Sequence, residues 1–135
     1  MSPSTDPLKQ TGGCLCGGVR YVINGPLRGV IACHCSQCRR TSGHYAAMTN
    51  APSEHLELKS SHTLVWYQSS ATAERGFCST CGSNLFWRQF DGDTTSITAG
   101  TLDTPTGIGL EQHIFVGDKS DYYTIEDDLP KLTAW

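Results

Sequence analysis

Long apolar runs are missing from the sequence. No stretch reaches the roughly 18 apolar residues that a membrane-spanning helix needs. The opening residues, MSPSTDPLKQTGG, also lack the apolar core of a secretory signal. We therefore expect a cytoplasmic protein with no membrane partner. The 135 residues suffice for one domain, with no room for a second.

Positive charge is scarce as well. The formal net charge is -3, and Arg39 and Arg40 form the one notable basic pair. Proteins that bind nucleic acids usually carry a clustered basic surface that neutralises phosphates. We therefore expect no nucleic-acid partner.

A long amphipathic helix is a third absence. Instead, Val, Ile, Tyr, Thr and Phe recur in short runs between turn-forming residues, which predicts many short strands. Val19, Tyr21 and Ile23, for example, alternate onto one face. Short helical turns are expected over 36–41 and near Pro130. The predicted strands lie within these segments: 19–25, 29–35, 55–60, 63–70, 75–79, 83–90, 95–102, 111–118 and 121–128.

These patterns predict the fold class and the domain organisation. We expect a mainly β fold, with a single small domain of short antiparallel strands over residues 12–135. Residues 1–11 repeat apolar positions at neither the helical nor the strand period, so they are expected to form a flexible N-terminal segment.

The cysteines are numerous and odd in number. Seven cysteines cannot all close into disulfides, and a chain without an export signal is expected in a reducing compartment. Metal ligation is therefore the leading interpretation, and buried or redox cysteines are the alternative.

Four of the cysteines form two pairs with ligand spacing. Cys14 and Cys16 are two residues apart, so their side chains can face one ion while Leu15 turns into packing. Cys78 and Cys81 enclose a two-residue turn that brings their sulfurs together. Two such pairs predict a closed structural zinc site with four thiolates.

The other three cysteines, Cys33, Cys35 and Cys38, fall within ACHCSQCRRTSG. All three sulfurs can converge on one ion, whereas His34 points to the opposite side of an extended chain and is a poor fourth ligand. The fourth position is then open to water or substrate, as in catalytic zinc sites. A zinc held by three thiolates favours another soft sulfur, so a thiol is the expected guest.

The residues beside this triplet are candidates for substrate binding. A bound thiolate would bring the charge of a three-thiolate zinc site to -2. Arg39 and Arg40 could offset that charge or bind a carboxylate. A solvated turn is the alternative interpretation of the two arginines. We therefore predict Arg39, Arg40 and His34 as substrate-binding residues.

Four motifs together resemble a known family. GGCLCGGVRY, CHCSQCRRTSG, FCSTCGSNLFW and HIFVGDKS are similar, in order and spacing, to those of the glutathione-dependent formaldehyde-activating enzymes, a family that includes centromere protein V. The resemblance covers residues 12 to about 132. It implies sheets splayed like a tent around two zinc ions per chain. Structural zinc is implied on Cys14, Cys16, Cys78 and Cys81, and catalytic zinc on Cys33, Cys35 and Cys38.

The resemblance also implies an activity. The family is named for condensing glutathione with formaldehyde to S-hydroxymethylglutathione, which is formally a carbon–sulfur lyase reaction in reverse. We expect a thiol such as glutathione as partner, and His34, His44 or His113 as the proton donor. The alternative is a non-catalytic, zinc-stabilised module that binds a thiol ligand or a partner protein. The sequence leaves monomer and homodimer open.

Overall fold

The computed structural model describes residues 9–135, which form ten strands and one short α-helix. The helix, α1, covers Ser36–Ser42. The strands are β1 (Lys9–Gly13), β2 (Arg20–Asn24), β3 (Val30–Cys33), β4 (Ala46–Pro52), β5 (Leu56–Ser60), β6 (Leu64–Gln68), β7 (Ala73–Cys78), β8 (Asn84–Gln89), β9 (Thr94–Thr98) and β10 (Leu110–Ile114). Three 3-10 turns lie at Ser53–His55, Ala99–Thr101 and Val116–Asp118.

The strands form two sheets. The smaller has the order β1-β2-β5, and the larger has the order β10-β3-β4-β9-β8-β7-β6. Neighbouring strands pair antiparallel in both sheets, except that β10 pairs parallel with β3. The predicted mainly β class is confirmed. The parallel pairing of β10 with β3 at one edge differs from the antiparallel pairing that was predicted.

The main core joins the two sheets. Val19, Tyr21 and Ile23, the predicted buried face, are at most 1% exposed. The Tyr21 ring meets Phe86 of the larger sheet edge to face, with ring centroids 5.5 Å apart. A Cβ on Gly12 of β1 would lie 2.3 Å from the Tyr21 hydroxyl oxygen, so glycine is required where the first strand crosses this ring.

Most predicted elements are present, with two kinds of difference. Helix α1 and the strands predicted between residues 19 and 118 are found, but β1 and β4 were not predicted. No strand forms over 121–128 and no helix near Pro130. In 121–128 the chain bonds through side chains instead, since the Tyr123 hydroxyl and the Asp127 carboxylate contact buried histidines.

The predicted N-terminal segment lies mainly outside the described residues. Its last three residues, 9–11, belong to β1 and pair with β2. The boundary between the segment and the domain therefore stays a prediction. None of the helices in residues 9–135 has the length and apolar character to cross a membrane.

Candidate metal centres

The first cysteine cluster lies where the two sheets meet. Cys14 follows β1, and Cys78 ends β7. With Cys16 and Cys81 they bring four sulfurs within 4.8 Å of one another. The sulfurs of Cys14 and Cys16, and those of Cys16 and Cys78, are 3.6 Å apart. These distances are far longer than a disulfide bond of about 2.05 Å, and all four cysteines are free thiols.

The spacing of the four sulfurs fits a zinc ion. Tetrahedral coordination with zinc–sulfur bonds of about 2.3 Å sets ligand sulfurs about 3.8 Å apart. Backbone amides also donate to the sulfurs, from Val19 to Cys14 and from Cys81 to Cys78. The Ser83 hydroxyl lowers the pKa of Cys81 to about 5, which favours the thiolate that a metal requires.

The expectation that Leu15 packs inside is wrong, because its side chain is 89% exposed. Residues 14–17 form a tight turn instead of a strand: the Gly17 amide donates to the Cys14 carbonyl, and Gly17 has a φ of 82°. Leu15 therefore lies at the tip of the turn, where its amide donates to the Ser83 hydroxyl.

The second cluster lies at the junction of β3 and α1. Cys33 ends β3, Cys35 is the N-cap of α1, and Cys38 is in the first turn of the helix. Their sulfurs lie within 4.8 Å of one another. The Cys38 amide donates to the Cys35 sulfur, as the Cys81 amide does to Cys78. No other Cys, His, Asp or Glu within residues 9–135 completes this cluster.

Arg75 of β7 faces the second cluster. Its Nη2 lies 3.6 Å from the Cys38 sulfur, and its Nε donates to the Gln37 side-chain oxygen at 2.8 Å. Hydrogen bonding with Cys33, assisted by the Arg75 charge, lowers the pKa of Cys38 to about 6. The contact with Cys38, together with burial, raises the pKa of Cys33 instead. The lowered pKa favours the Cys38 thiolate, and the Arg75 guanidinium lies beside that sulfur.

A cavity of about 600 Å³ opens onto the three cysteines. This volume is within the usual range of small-molecule sites. Arginine and amide side chains from Arg28, Gln37, Asn50 and Arg75 supply polar groups. Much of the remaining wall is apolar, formed by Ile31, Met48, Trp87, Ile114, Phe115 and Trp135.

The predicted substrate-binding residues lie elsewhere. Arg39, Arg40 and His34 are not among the described residues that line the cavity. Arg40 is exposed on the helix, and Arg39 is half-buried. The arginines that reach the cavity are Arg28, before β3, and Arg75, on β7. Neither residue carried a local signal in the sequence, because its place in the cavity wall depends on how the strands pair.

His34 belongs to a buried chain of hydrogen bonds. It is fully buried, and its Nε2 lies 2.9 Å from His113 Nδ1. The Tyr123 hydroxyl lies 2.7 Å from His34 Nδ1, and Asp127 Oδ2 lies 2.8 Å from His113 Nε2. Both ring nitrogens of His34 are therefore occupied on the side away from the cysteines, as the residue spacing predicted.

One tautomer of each neutral histidine ring satisfies every bond in this chain. His113 lowers the pKa of Asp127, so the carboxylate is ionised and accepts the proton of His113 Nε2. His113 Nδ1 then accepts from His34 Nε2, which leaves His34 Nδ1 to accept from the Tyr123 hydroxyl. Burial, with the nearby His113, lowers the pKa of His34 to about 4, which is consistent with a neutral ring.

The third histidine suggested as a proton donor is also outside the cavity. His44 is exposed, and its Nδ1 bonds with the Tyr122 hydroxyl. Among the residues of 9–135 that line the cavity there is no histidine.

Comparison with known proteins agrees with this arrangement. The sequence profile of a family described as glutathione-dependent formaldehyde-activating enzyme matches residues 9–118. A Schizosaccharomyces pombe protein described as an uncharacterized lyase is 30% identical over 129 residues, which cover 91% of this chain and 90% of that protein. A Halomonas elongata protein carrying the name "Putative glutathione-dependent formaldehyde-activating enzyme" is 28% identical over 128 residues, covering 85% and 80%.

A solved structure has the same fold. A crystal structure of a Rhodobacter sphaeroides protein superposes with a TM-score of 0.58 at 26% identity, covering 74% of this chain and 98% of that chain. The family profile spans well over half of the sequence, including all seven cysteines. The chain belongs to the glutathione-dependent formaldehyde-activating enzyme family.

Proposed function

We propose that this protein is a zinc-dependent enzyme of the carbon–sulfur lyase type that acts on a thiol–aldehyde adduct, with glutathione and formaldehyde forming S-hydroxymethylglutathione. One observation carries the proposal: a cluster of three cysteines, with no fourth ligand among the described residues, faces a cavity of about 600 Å³. A closed structural site has no need of a cavity.

The residues divide the proposed metal binding between the two clusters. Cys14, Cys16, Cys78 and Cys81 would hold a structural zinc, and Cys33, Cys35 and Cys38 would hold the second. Zinc in the second cluster supplies a Lewis-acidic centre with one position free for a substrate sulfur or oxygen. Thiolate ligands suit a sulfur substrate, which supports a thiol as the guest.

The protein's own groups contribute charge balance and positioning. The Arg75 guanidinium, 3.6 Å from the Cys38 sulfur, offsets negative charge that gathers when a thiolate enters. Met48 and Trp87 pack against the cysteines and give that end of the cavity apolar walls. Holding thiol and aldehyde together can remove several kcal/mol of the barrier, roughly 7–11 in the best cases.

The reaction balances without an oxidant or reductant. The thiol sulfur forms a bond to the aldehyde carbon while the carbonyl π bond opens to an alkoxide. The thiol loses one proton and the alkoxide gains one, so no net proton is released or consumed. Because no histidine lines the described cavity, proton transfer through His34, His44 or His113 is not part of the proposal.

Metal analysis combined with a rate assay tests this function. We expect two zinc ions per chain. We also expect S-hydroxymethylglutathione to form faster than the uncatalysed rate, as measured by NMR exchange spectroscopy. The R75Q variant is expected to lose most of that acceleration. R88Q is the matched control, because Arg88 lies on the neighbouring β8 and pairs with Glu74 outside the cavity.

The other outcomes separate the alternatives. One zinc per chain would leave the three-cysteine cluster empty and contradict the proposed mechanism. Two zinc ions with glutathione binding and no acceleration would favour the non-catalytic, zinc-stabilised module instead.

A further inference from the structure

The cysteine end of the cavity has apolar walls. Ile31 lies two residues before Cys33, on the same face of β3, and Ile114 of β10 pairs with Cys33. Met48 packs against the cysteine cluster from β4, on the other side of β3. Phe115 follows Ile114 and also lines the cavity. A substrate sulfur at the cysteines would therefore have apolar side chains on both sides.

Besides Arg75 and Gln37 at the cysteines, a second group of polar side chains lies farther along the same sheet. Ala46 pairs with Cys33, and Asn50 lies four residues farther along β4, so its Cα is about 13 Å from that of Ala46. There the Asn50 amide donates to the Ser96 hydroxyl at 3.1 Å. The Arg28 amide donates to the Asn50 carbonyl, which places this arginine at the same end.

Arg28 retains donors for an anion. Its guanidinium has five N–H donors, and its bonds within the described residues use Nε and one hydrogen of Nη2, to the carbonyls of Gly29 and Met48. No Asp or Glu is among the described residues that line the cavity. The Arg28 guanidinium can therefore bind a carboxylate of a peptide thiol whose sulfur lies at the cysteines.

Formaldehyde leaves the apolar walls unused. Its carbonyl carbon carries only hydrogen, and the peptide part of the thiol is polar. Resting on the proposed function, we propose that the site takes aldehydes with an alkyl or aryl substituent, which packs against Ile31, Met48 and Phe115 when the carbonyl carbon meets the sulfur. The product is the corresponding α-hydroxy thioether: the sulfur–carbon bond forms, the carbonyl π bond opens, and the thiol proton ends on the new hydroxyl.

Binding of stable product mimics tests the substituent site without turnover. S-methylglutathione and S-hexylglutathione carry the same peptide and differ only in the length of the alkyl group. Burial of each methylene contributes about fourfold in affinity, so burial of even two gives more than tenfold. We expect the zinc-loaded protein to bind the hexyl compound at least about tenfold more tightly by calorimetry.

Two variants assign the effect to the cavity. F115A is expected to lose most of the preference for the hexyl compound while still binding S-methylglutathione, which reports that the site is folded. F90A is the matched control, because Phe90 is 52% exposed and lies outside the cavity. I31A removes a second apolar side chain from the cavity wall, this one on β3.

The outcomes distinguish this inference from the proposed function. Equal affinities for the methyl and hexyl compounds, with adduct formation from formaldehyde intact, would overturn the substituent site and leave the function standing. A preference that F115A and I31A both retain would also overturn it, because the alkyl chain would then bind elsewhere. Failure to bind either compound would remove the thiol site itself, and both proposals with it.

Discussion

Loss of one cysteine should have opposite consequences in the two clusters. Cys78 is fully buried within the main core, and its cluster joins segments 62 residues apart in sequence. Cys38 lies in a smaller group of buried residues at the start of α1. We predict that C78A prevents folding, whereas C38A folds and loses the second zinc.

The magnitudes follow from what each cluster joins. Structural zinc contributes roughly 10–16 kcal/mol in small peptides, which equals or exceeds the roughly 5–15 kcal/mol stability of a whole domain. Through Cys14 and Cys78 the first cluster ties β1 of the smaller sheet to β7 of the larger, so weakening it separates the sheets. Replacing Cys38 removes one buried sulfur from the cavity wall and leaves both sheets joined, and about 1 kcal/mol is typical for a single substitution of this kind.

Urea unfolding followed by circular dichroism, together with metal analysis, measures both effects. Wild type and C38A should each give a cooperative transition, with two zinc ions and one zinc ion per chain. C78A should show no cooperative transition. A C78A protein that unfolds cooperatively within about 2 kcal/mol of wild type would refute the argument that this metal holds the sheets together. An unfolded C38A protein would refute the assignment of the structural role to the first cluster alone.

Three further changes test individual contacts. The Arg20 guanidinium, 2.6 Å from the Asp103 carboxylate, lowers the pKa of that carboxylate. D103N should lower the free energy of unfolding by about 1–2 kcal/mol in urea at pH 7. This advantage of the wild type should disappear only below about pH 4, where the carboxylate protonates in the folded state. An advantage that disappears already at pH 6 would contradict this pairing. Y123F should lower the free energy of unfolding by about 1–3 kcal/mol, because it leaves a buried nitrogen of His34 unpaired. Y122F should lower it clearly less, because Tyr122 is 60% exposed. Equal losses in the two variants would count against the buried chain of hydrogen bonds. R75Q should weaken zinc binding at the three-cysteine cluster about tenfold in chelator competition, and unchanged affinity would show that this arginine leaves the metal unaffected.

Each cysteine motif was predictable because its own geometry is local: spacings of two and three residues bring the sulfurs within a motif together. Joining the two distant pairs into one site followed from the four ligands that a structural zinc needs, and both predicted groups have their sulfurs within 4.8 Å. The alternation in residues 19–23 likewise predicted that Val19, Tyr21 and Ile23 share one face, and all three are buried in and beside β2. Strand β4 was missed because its sequence, AAMTNAP, is poor in the β-branched and aromatic residues typical of strands.

The residues that line the cavity were not predictable, because their positions depend on the register in which distant strands pair. Arg75 meets Cys38 only because β7 pairs with β8, and β8 with β9, in one particular alignment across the sheet. Arg39 and Arg40 were predicted from their nearness to Cys38 in sequence, but neither is among the described residues that line the cavity. The orientation of His34 followed from spacing, whereas its partner His113 lies 79 residues away.

The two clusters share a local motif and differ in their surroundings. Each contains a CxxC turn in which the amide of the second cysteine donates to the sulfur of the first. One cluster brings four sulfurs together beside the main core, enough for a closed tetrahedral site. The other brings three sulfurs together within the described residues, and these line a cavity. We expect zinc in the first cluster to hold the two sheets together, which would let the second cluster keep one coordination position for substrate without loss of the fold.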